Sequence, residues 1–358
     1  MITISLCMIV KNEEDTLFKC LESVKDVMDE IVIVDTGSTD RTKETASKYT
    51  DKIYDFKWFD DFSAARNYSY RKANMDYIMW LDADDVMLPG DLSMFRELKN
   101  NLEPSVDIVM MKYNVGFDSQ GNATFSYYRE RLSKRSGNYL WHEPVHEYLD
   151  IGGKIIEADI SITHQKIHDH ASDRNLRVYE KILGEGRELT ARGLYYYARE
   201  LMDNRRYHDA IIYFNKFLDS GQGWIEDNIR ACSDLAKCYT SENDNEKCLK
   251  ALIRSLQYDT PRADICCQLG YYYKQSDDYK RALFWFKLAT ELNIPESNWG
   301  FIEKDYWGYI PCIEMCVCHD KLGNITEAIR CNNKAAEYKP DDPAVLYNRR
   351  YFEGLEKA

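Results

Sequence analysis

No stretch of this sequence approaches the roughly 18 to 20 consecutive apolar residues that cross a bilayer, so no membrane-spanning helix is expected. The first residues, MITISLCMIVKNEE, have neither the basic head nor the small-residue cleavage site of a secretory signal, which predicts a cytoplasmic chain. Positive charge is short as well: 47 Lys and Arg stand against 60 Asp and Glu, a formal net charge of −13. General binders of nucleic acid or of anionic membranes need a basic surface, and both classes are excluded. The 11 cysteines include no CxxC pair, and Cys232, Cys238, Cys248, Cys266, Cys267, Cys316 and Cys331 sit where a helix would bury them. Reduced core thiols are therefore expected rather than metal sites or disulfides. A glycine-rich basic phosphate loop is absent near the N-terminus, which argues against a nucleotidyltransferase.

What is present suits two domains: 358 residues, 44% of them hydrophobic, are too many for one ordinary core. The first part alternates strands and helices. Residues Ile2 to Val10 read as a strand, Asp15 to Val27 as a helix with Leu17, Cys20, Leu21 and Val24 on one face, and Ile31 to Val34 as a second strand. Strand, helix and strand in so few residues make a parallel βαβ unit. A short strand at Lys52 to Phe56, a helix from Phe62 to Ala73 and an apolar run at Tyr77 to Leu81 follow. Open parallel sheets bind ligands at the carboxyl ends of their strands, where Asn12, Asp35 and Asp82 all fall.

The last of these strands leaves in Asp82, Asp84 and Asp85. Carboxylates this close repel unless water or a cation screens them. Strand alternation would aim Asp82 and Asp84 at one site, and Mg²⁺ or Mn²⁺ takes such hard oxygen ligands. An acidic loop capping the helix that starts near Asp91 is the alternative.

VKNEE, DTGSTD, SAARN and LDADD, in that order on alternating strands and helices, together resemble the family 2 glycosyltransferases of the GT-A fold, over about residues 1 to 165. The resemblance implies an α/β nucleotide-diphospho-sugar transferase domain with a nucleotide-sugar donor, a UDP-sugar for preference. It implies that residues around Asn12, Glu13, Asp35, Thr36, Ser38 and Arg66 hold the nucleotide, with Asp82 and Ala83 beside it. Asp84, with Asp82, would hold Mn²⁺ or Mg²⁺ on the diphosphate. Many relatives carry a second acidic residue after the one aligned with Asp35, and here Thr36 stands in its place.

Two strand-like stretches, DIVMMKYNV and ATFSYY, flank the turn Asp118 to Asn122. Arg129, Arg131, Lys134 and Arg135 follow, a basic patch suited to a diphosphate. In similar enzymes an Arg-Leu stretch, here at Arg131, and a Val-His-Glu motif, here Val145-His146-Glu147, lie over the donor sugar. An inverting transfer needs a group to take the acceptor's proton. Glu147 is the first candidate for that base and Glu143 the second. His164, at a strand end, is a candidate third metal ligand, with His168 and His170 behind it.

Beyond His170 strand-like runs cease. Arg174 to Gly186 reads as a connecting helix, and small residues then recur: Ala198, Ala236, Gly270 and Cys316, each twelve residues before Ala210, Cys248, Ala282 and Ala328. The latter four are spaced 38, 34 and 46 residues apart, and Phe217, Ser255, Ala289 and Ala335 follow seven residues later. Paired helices approach closely only where side chains are small. The pattern resembles tetratricopeptide repeats, with an insertion at Pro295 to Pro311 that carries Trp299 and Trp307. The expected division is 1–170 catalytic, 171–190 connecting and 191–358 repeats, an α/β GT-A domain followed by an all-α helical array. This pairing is similar to that of the S-glycosyltransferases that modify cysteines of bacteriocin peptides. A peptide side chain or a glycan is the expected acceptor, and the array would recruit it or form a homodimer. The rival reading is a nucleotide-binding scaffold that acts through its repeats.

Overall fold

The computed structural model describes residues 1–117, 121, 123–165, 173–295 and 303–355. Most of the turn expected at 118–122, His168, His170 and Trp299 lie outside the described residues. The chain forms two compact units that divide after Lys181.

The first unit is built on β1 (Ile4–Val10), β2 (Glu30–Asp35), β3 (Ile53–Asp55), β4 (Tyr77–Trp80), β5 (Asp85–Val86), β6 (Ile108–Phe117), β7 (Ala123–Lys134) and β10 (Ile155–His164), with a separate hairpin of β8 (Trp141–His142) and β9 (Tyr148–Leu149). Eight strands make one sheet in the order β3-β2-β1-β4-β7-β6-β10-β5. The first four of that order run parallel, and β7 is antiparallel to both β4 and β6. All four residues of β4 are buried, as are six of the seven in β1, which is why these strands read as largely apolar, Ser5 apart.

Helices α1 (Leu17–Val24), α2 (Thr42–Ala46), α3 (Phe62–Tyr70) and α4 (Pro89–Asn101) complete the unit. Leu17, Cys20, Leu21 and Val24 of α1 pack with Met79 and Phe95 in one core, each such side chain contributing about 1.5 to 3 kcal/mol on burial. Tyr70 and Ala73 pack with Ile78, Trp80 and Trp141 in another, so the sheet carries different layers on its two faces. Asp61 caps α3 by accepting from the Ala64 amide at 2.9 Å.

The second unit is helical. After α5 (Arg174–Gly184), α6 (Ala191–Asp203) packs on α7 (Tyr207–Ser220), α8 (Ile225–Ser241) on α9 (Asn245–Arg254), α10 (Ala263–Gln275) on α11 (Tyr279–Glu291), and α12 (Tyr309–Lys321) on α13 (Ile325–Tyr338), before α14 (Pro343–Leu355). The twelve recurring positions are all buried, from Ala198 to Ala335. At Gly270 the reason is direct: a Cβ there would stand 2.7 Å from the Phe286 ring. Where the first repeat has Phe217 instead of a small residue, the ring packs against Tyr195 with centroids 5.2 Å apart. All eleven cysteines are free and buried.

Candidate functional site

Polar residues gather where β1, β2 and β4 end. Asn12 has a left-handed backbone, φ 56°. Its N–H donates to the Ser38 hydroxyl at 2.9 Å, and its side-chain oxygen accepts from the Thr39 amide at 2.8 Å. These bonds tie the exit of β1 to the loop after β2. In that loop Asp35 Oδ1 accepts from the Gly37 and Ser38 amides, both at 2.9 Å, while Oδ2 is buried with no hydrogen-bond partner among the described residues. Thr36 turns its hydroxyl to the Val10 carbonyl at 3.1 Å, and Glu13 accepts from the Thr16 hydroxyl at 2.6 Å.

The aspartates divide. Since β4 ends at Trp80 and residues 81–84 form no strand, the alternation that would pair Asp82 with Asp84 does not operate. Asp82 and Asp85 instead close a turn: the Asp85 N–H donates to the Asp82 carbonyl, and the Asp82 N–H donates to Asp85 Oδ2, each at 3.1 Å. The short strand β5 then pairs antiparallel with β10 and sets His164 opposite Asp85. Asp84, Asp85 and His164 consequently offer ligand atoms that all lie within 4.8 Å of one another. The structure thus groups Asp85, rather than Asp82, with Asp84 and His164. The capping alternative does not hold either, because α4 follows Leu88 and no side chain caps it.

His164 Nδ1 stands 3.4 Å from Asp84 Oδ1, 3.6 Å from Asp85 Oδ1 and 3.0 Å from the Tyr113 hydroxyl. Hydrogen bonds to Asp84 and Asp85 outweigh burial and raise its pKa to about 10, a measure of how much negative charge the cluster holds. Asp85 Oδ1 is buried without a hydrogen-bond partner among the described residues. Two carboxylates and one imidazole, with an unsatisfied oxygen among them, fit a divalent cation such as Mn²⁺; the imidazole suits Mg²⁺ less well.

Arg131, expected near the donor sugar, has no exposed surface. It is fully buried, donates to Asp85 Oδ2 at 3.0 Å, and stacks at 3.9 Å on Trp80 and 4.3 Å on Tyr113. Such a buried guanidinium must be paired, and Asp85 is its counter-ion. The rest of the expected basic patch is also engaged: Arg129 with Glu130, Lys134 with the Pro104 carbonyl, Arg135 with the Met75 carbonyl.

A second charged group also stands beside Trp80. Arg66 donates from Nη2 to Asp82 Oδ1 at 2.8 Å and from Nε to Glu147 Oε1 at 2.7 Å, between the rings of Trp80 (4.7 Å) and Trp141 (5.0 Å). Burial alone would raise the Asp82 pKa, but the charges of Arg66 and Arg131 prevail and lower it. The segment carrying Glu147 is held by α3: Asn67 makes two 2.8 Å bonds to the Trp141 backbone, and the Phe62 N–H donates to the Pro144 carbonyl at 2.8 Å. Glu143 and His146 occupy left-handed backbone at φ 71° and 53°. His142 turns aside to Asp150, 3.0 Å away, and Ala83 is buried.

Sequence reasoning left Asp85 and Tyr113 out of the site. Asp85 was available as the third carboxylate of LDADD; nothing in the local sequence marks Tyr113.

Residues 5–150 match the model of Glycosyl transferase family 2, and residues 263–293 that of the Tetratricopeptide repeat. A TPR repeat-containing protein of Synechococcus elongatus is 36% identical over 151 residues, 42% of this chain and 36% of that protein. The SPbeta prophage-derived glycosyltransferase SunS of Bacillus subtilis is 27% identical over 231 residues, 61% of this chain and 54% of SunS. The matches therefore span about a third to a half of these relatives' lengths. Among solved structures, glucosyl-3-phosphoglycerate synthase from Mycobacterium tuberculosis, in complex with Mn²⁺ and UDP-glucose, aligns with a TM-score of 0.37 and 14% identity, over 53% of this chain and 81% of that one. The TPR protein YrrB, with an unusual peptide-binding site, aligns at 0.39 and 19%, over 50% and 84%. Scores this low carry no argument about ligands.

Proposed function

For a chain with a family 2 glycosyltransferase domain ahead of tetratricopeptide repeats, we propose inverting transfer of a sugar from a nucleotide-sugar, a UDP-sugar for preference, to a peptide side chain or a glycan. The observation that carries this reading is the Asp84, Asp85 and His164 cluster beside the ends of parallel strands, with one buried oxygen unsatisfied. These three residues would hold Mn²⁺ or Mg²⁺, which when bound supplies positive charge against the diphosphate and the departing nucleotide.

The chain's own groups do the rest. Asp35, with Oδ2 unpartnered, is the acceptor for a donor N–H or O–H of the nucleotide. Asn12 and Ser38 shape the loop around it rather than reaching outward. Glu147 takes the acceptor's proton, and Arg66 fixes that carboxylate by holding Oε1. Glu143 and His146, on the same strained segment, line the acceptor side. The helical repeats recruit the acceptor or join two copies of the chain.

The test is a panel of UDP- and GDP-sugars with Mn²⁺, read as donor hydrolysis and as transfer, with peptide products followed by mass spectrometry. Asp84→Ala is expected to lower both by about 10²- to 10³-fold, the loss typical of removing one charge-stabilising group. Full activity in that variant would refute the metal role. Glycan growth without any peptide adduct would assign the acceptor as a sugar.

A further inference from the structure

Tyr113 lies on β6, a strand hydrogen-bonded to β7 on one side and β10 on the other. Its register partner in β10 is Ile162, and His164 follows two residues later on the same face. The Tyr113 side chain is nearly buried and fixed from several directions: the Arg131 guanidinium stacks on its ring at 4.3 Å, and the rings of Tyr127 and His164 meet it at 5.6 and 5.8 Å. Packed this way on an inner strand, it has little freedom to carry its hydroxyl elsewhere.

That hydroxyl stands 3.0 Å from His164 Nδ1. The same nitrogen faces Asp84 Oδ1 at 3.4 Å and Asp85 Oδ1 at 3.6 Å. The usual outer partner of a metal-bound histidine takes the N–H of the other ring nitrogen, and so stands away from the remaining ligands. Tyr113 instead shares Nδ1 with the two carboxylates, which sets its oxygen among the ligand atoms. The spacing agrees. Neighbouring ligands of an octahedral ion with bonds of about 2.1 Å lie about 3 Å apart, and Nδ1 has these three oxygens at 3.0 to 3.6 Å. A phenol, with an ordinary pKa of about 10, keeps its proton at neutral pH. It therefore offers a hard, neutral oxygen, as water does.

We infer that the Tyr113 hydroxyl is a fourth ligating group for the divalent cation, beside Asp84, Asp85 and His164. This rests on the reading of that cluster as the metal end of the donor site. The competing role for Tyr113 is to orient the His164 ring alone. The two differ in the water around the ion: a ligating hydroxyl, once removed, leaves a position that solvent fills, whereas an orienting one does not.

The test is titration of the full chain with Mn²⁺ alone, with affinity read by calorimetry and metal-bound water by water-proton relaxation. Tyr113→Phe removes only the oxygen and keeps the ring on Arg131, which a thermal melt checks. This variant is expected to bind Mn²⁺ about tenfold more weakly, the lower end of the loss seen when a group around a metal is removed, and to admit an additional water to the bound ion. Unchanged affinity, or weaker binding without the additional water, would overturn the inference; the latter makes Tyr113 a positioning residue. Asp84→Ala examines the premise separately. Mn²⁺ binding that survives Asp84→Ala unchanged, or is absent in the parent, removes the metal site itself; loss in Asp84→Ala beside an unaffected Tyr113→Phe removes Tyr113 alone.

Discussion

Two charged groups beside Trp80 draw on one motif and end differently. In one, Arg66 bridges Asp82 Oδ1 to Glu147 Oε1, and the Asp82 side chain stays 37% exposed. In the other, Asp84 and Asp85 face His164, and Asp85 Oδ1 has no hydrogen-bond partner among the described residues. In the first, Arg66 Nη1 is buried without a hydrogen-bond partner among the described residues; in the second, Arg131 and His164 stand opposite the two carboxylates. Neighbouring aspartates of one motif therefore meet different cations: Arg66 stands opposite Asp82, and Arg131 and His164 opposite Asp85.

The largest expected break in this contrast is Asp85→Ala. It removes part of the open cluster and also strands buried Arg131, so transfer falls and the protein loses about 3 to 5 kcal/mol, the usual cost of orphaning a buried ion. Chemical denaturation and donor turnover measure the two parts. A variant as stable as the parent would show that Arg131 finds another counter-ion.

Next is Arg66→Met, which releases Asp82 and Glu147 from their shared cation. With Glu147 no longer held, kcat is expected to drop by about 10²-fold with less change in KM for the donor, since orientation of one group is lost. Arg66→Lys keeps charge but loses the fork, and should recover only part of the rate. An equal rise in KM alone would place Arg66 in donor binding instead.

The smallest effect comes from an acid that is fully paired far from both. Glu30 is held by Asn74, Lys52 and Ser5. Burial would raise its pKa, but these bonds prevail and lower it from 4.5 to about 2. Its bonds therefore stabilise the fold above pH 4.5, and that contribution is lost as pH falls from 4.5 toward 2. Urea unfolding at pH 6 and pH 3 should show a smaller difference in Glu30→Gln than in the parent.

The parallel strands and the repeats were legible because each imposes a local composition. Buried strands demand runs such as IVIV, and close helix pairs demand Gly270 or Ala282. The four motifs likewise located the strand-end site. The allotment of aspartates was not legible, because it depends on where β4 stops and on the pairing of β5 with β10, a contact across about 80 residues. Arg131 misled for a related reason: a basic residue in a polar stretch suggests surface, and only tertiary structure shows Asp85 beside it.

The clamp of Asn67 on the Trp141 backbone, with Phe62 on Pro144, has a kinetic consequence. Residues 141–144 are anchored at three points to one helix, so this stretch cannot swing open as a hinged flap. It moves only with α3. Access for an acceptor must then come from other loops, and hydrogen exchange at the Trp141 amide should be as slow as that of the helix interior.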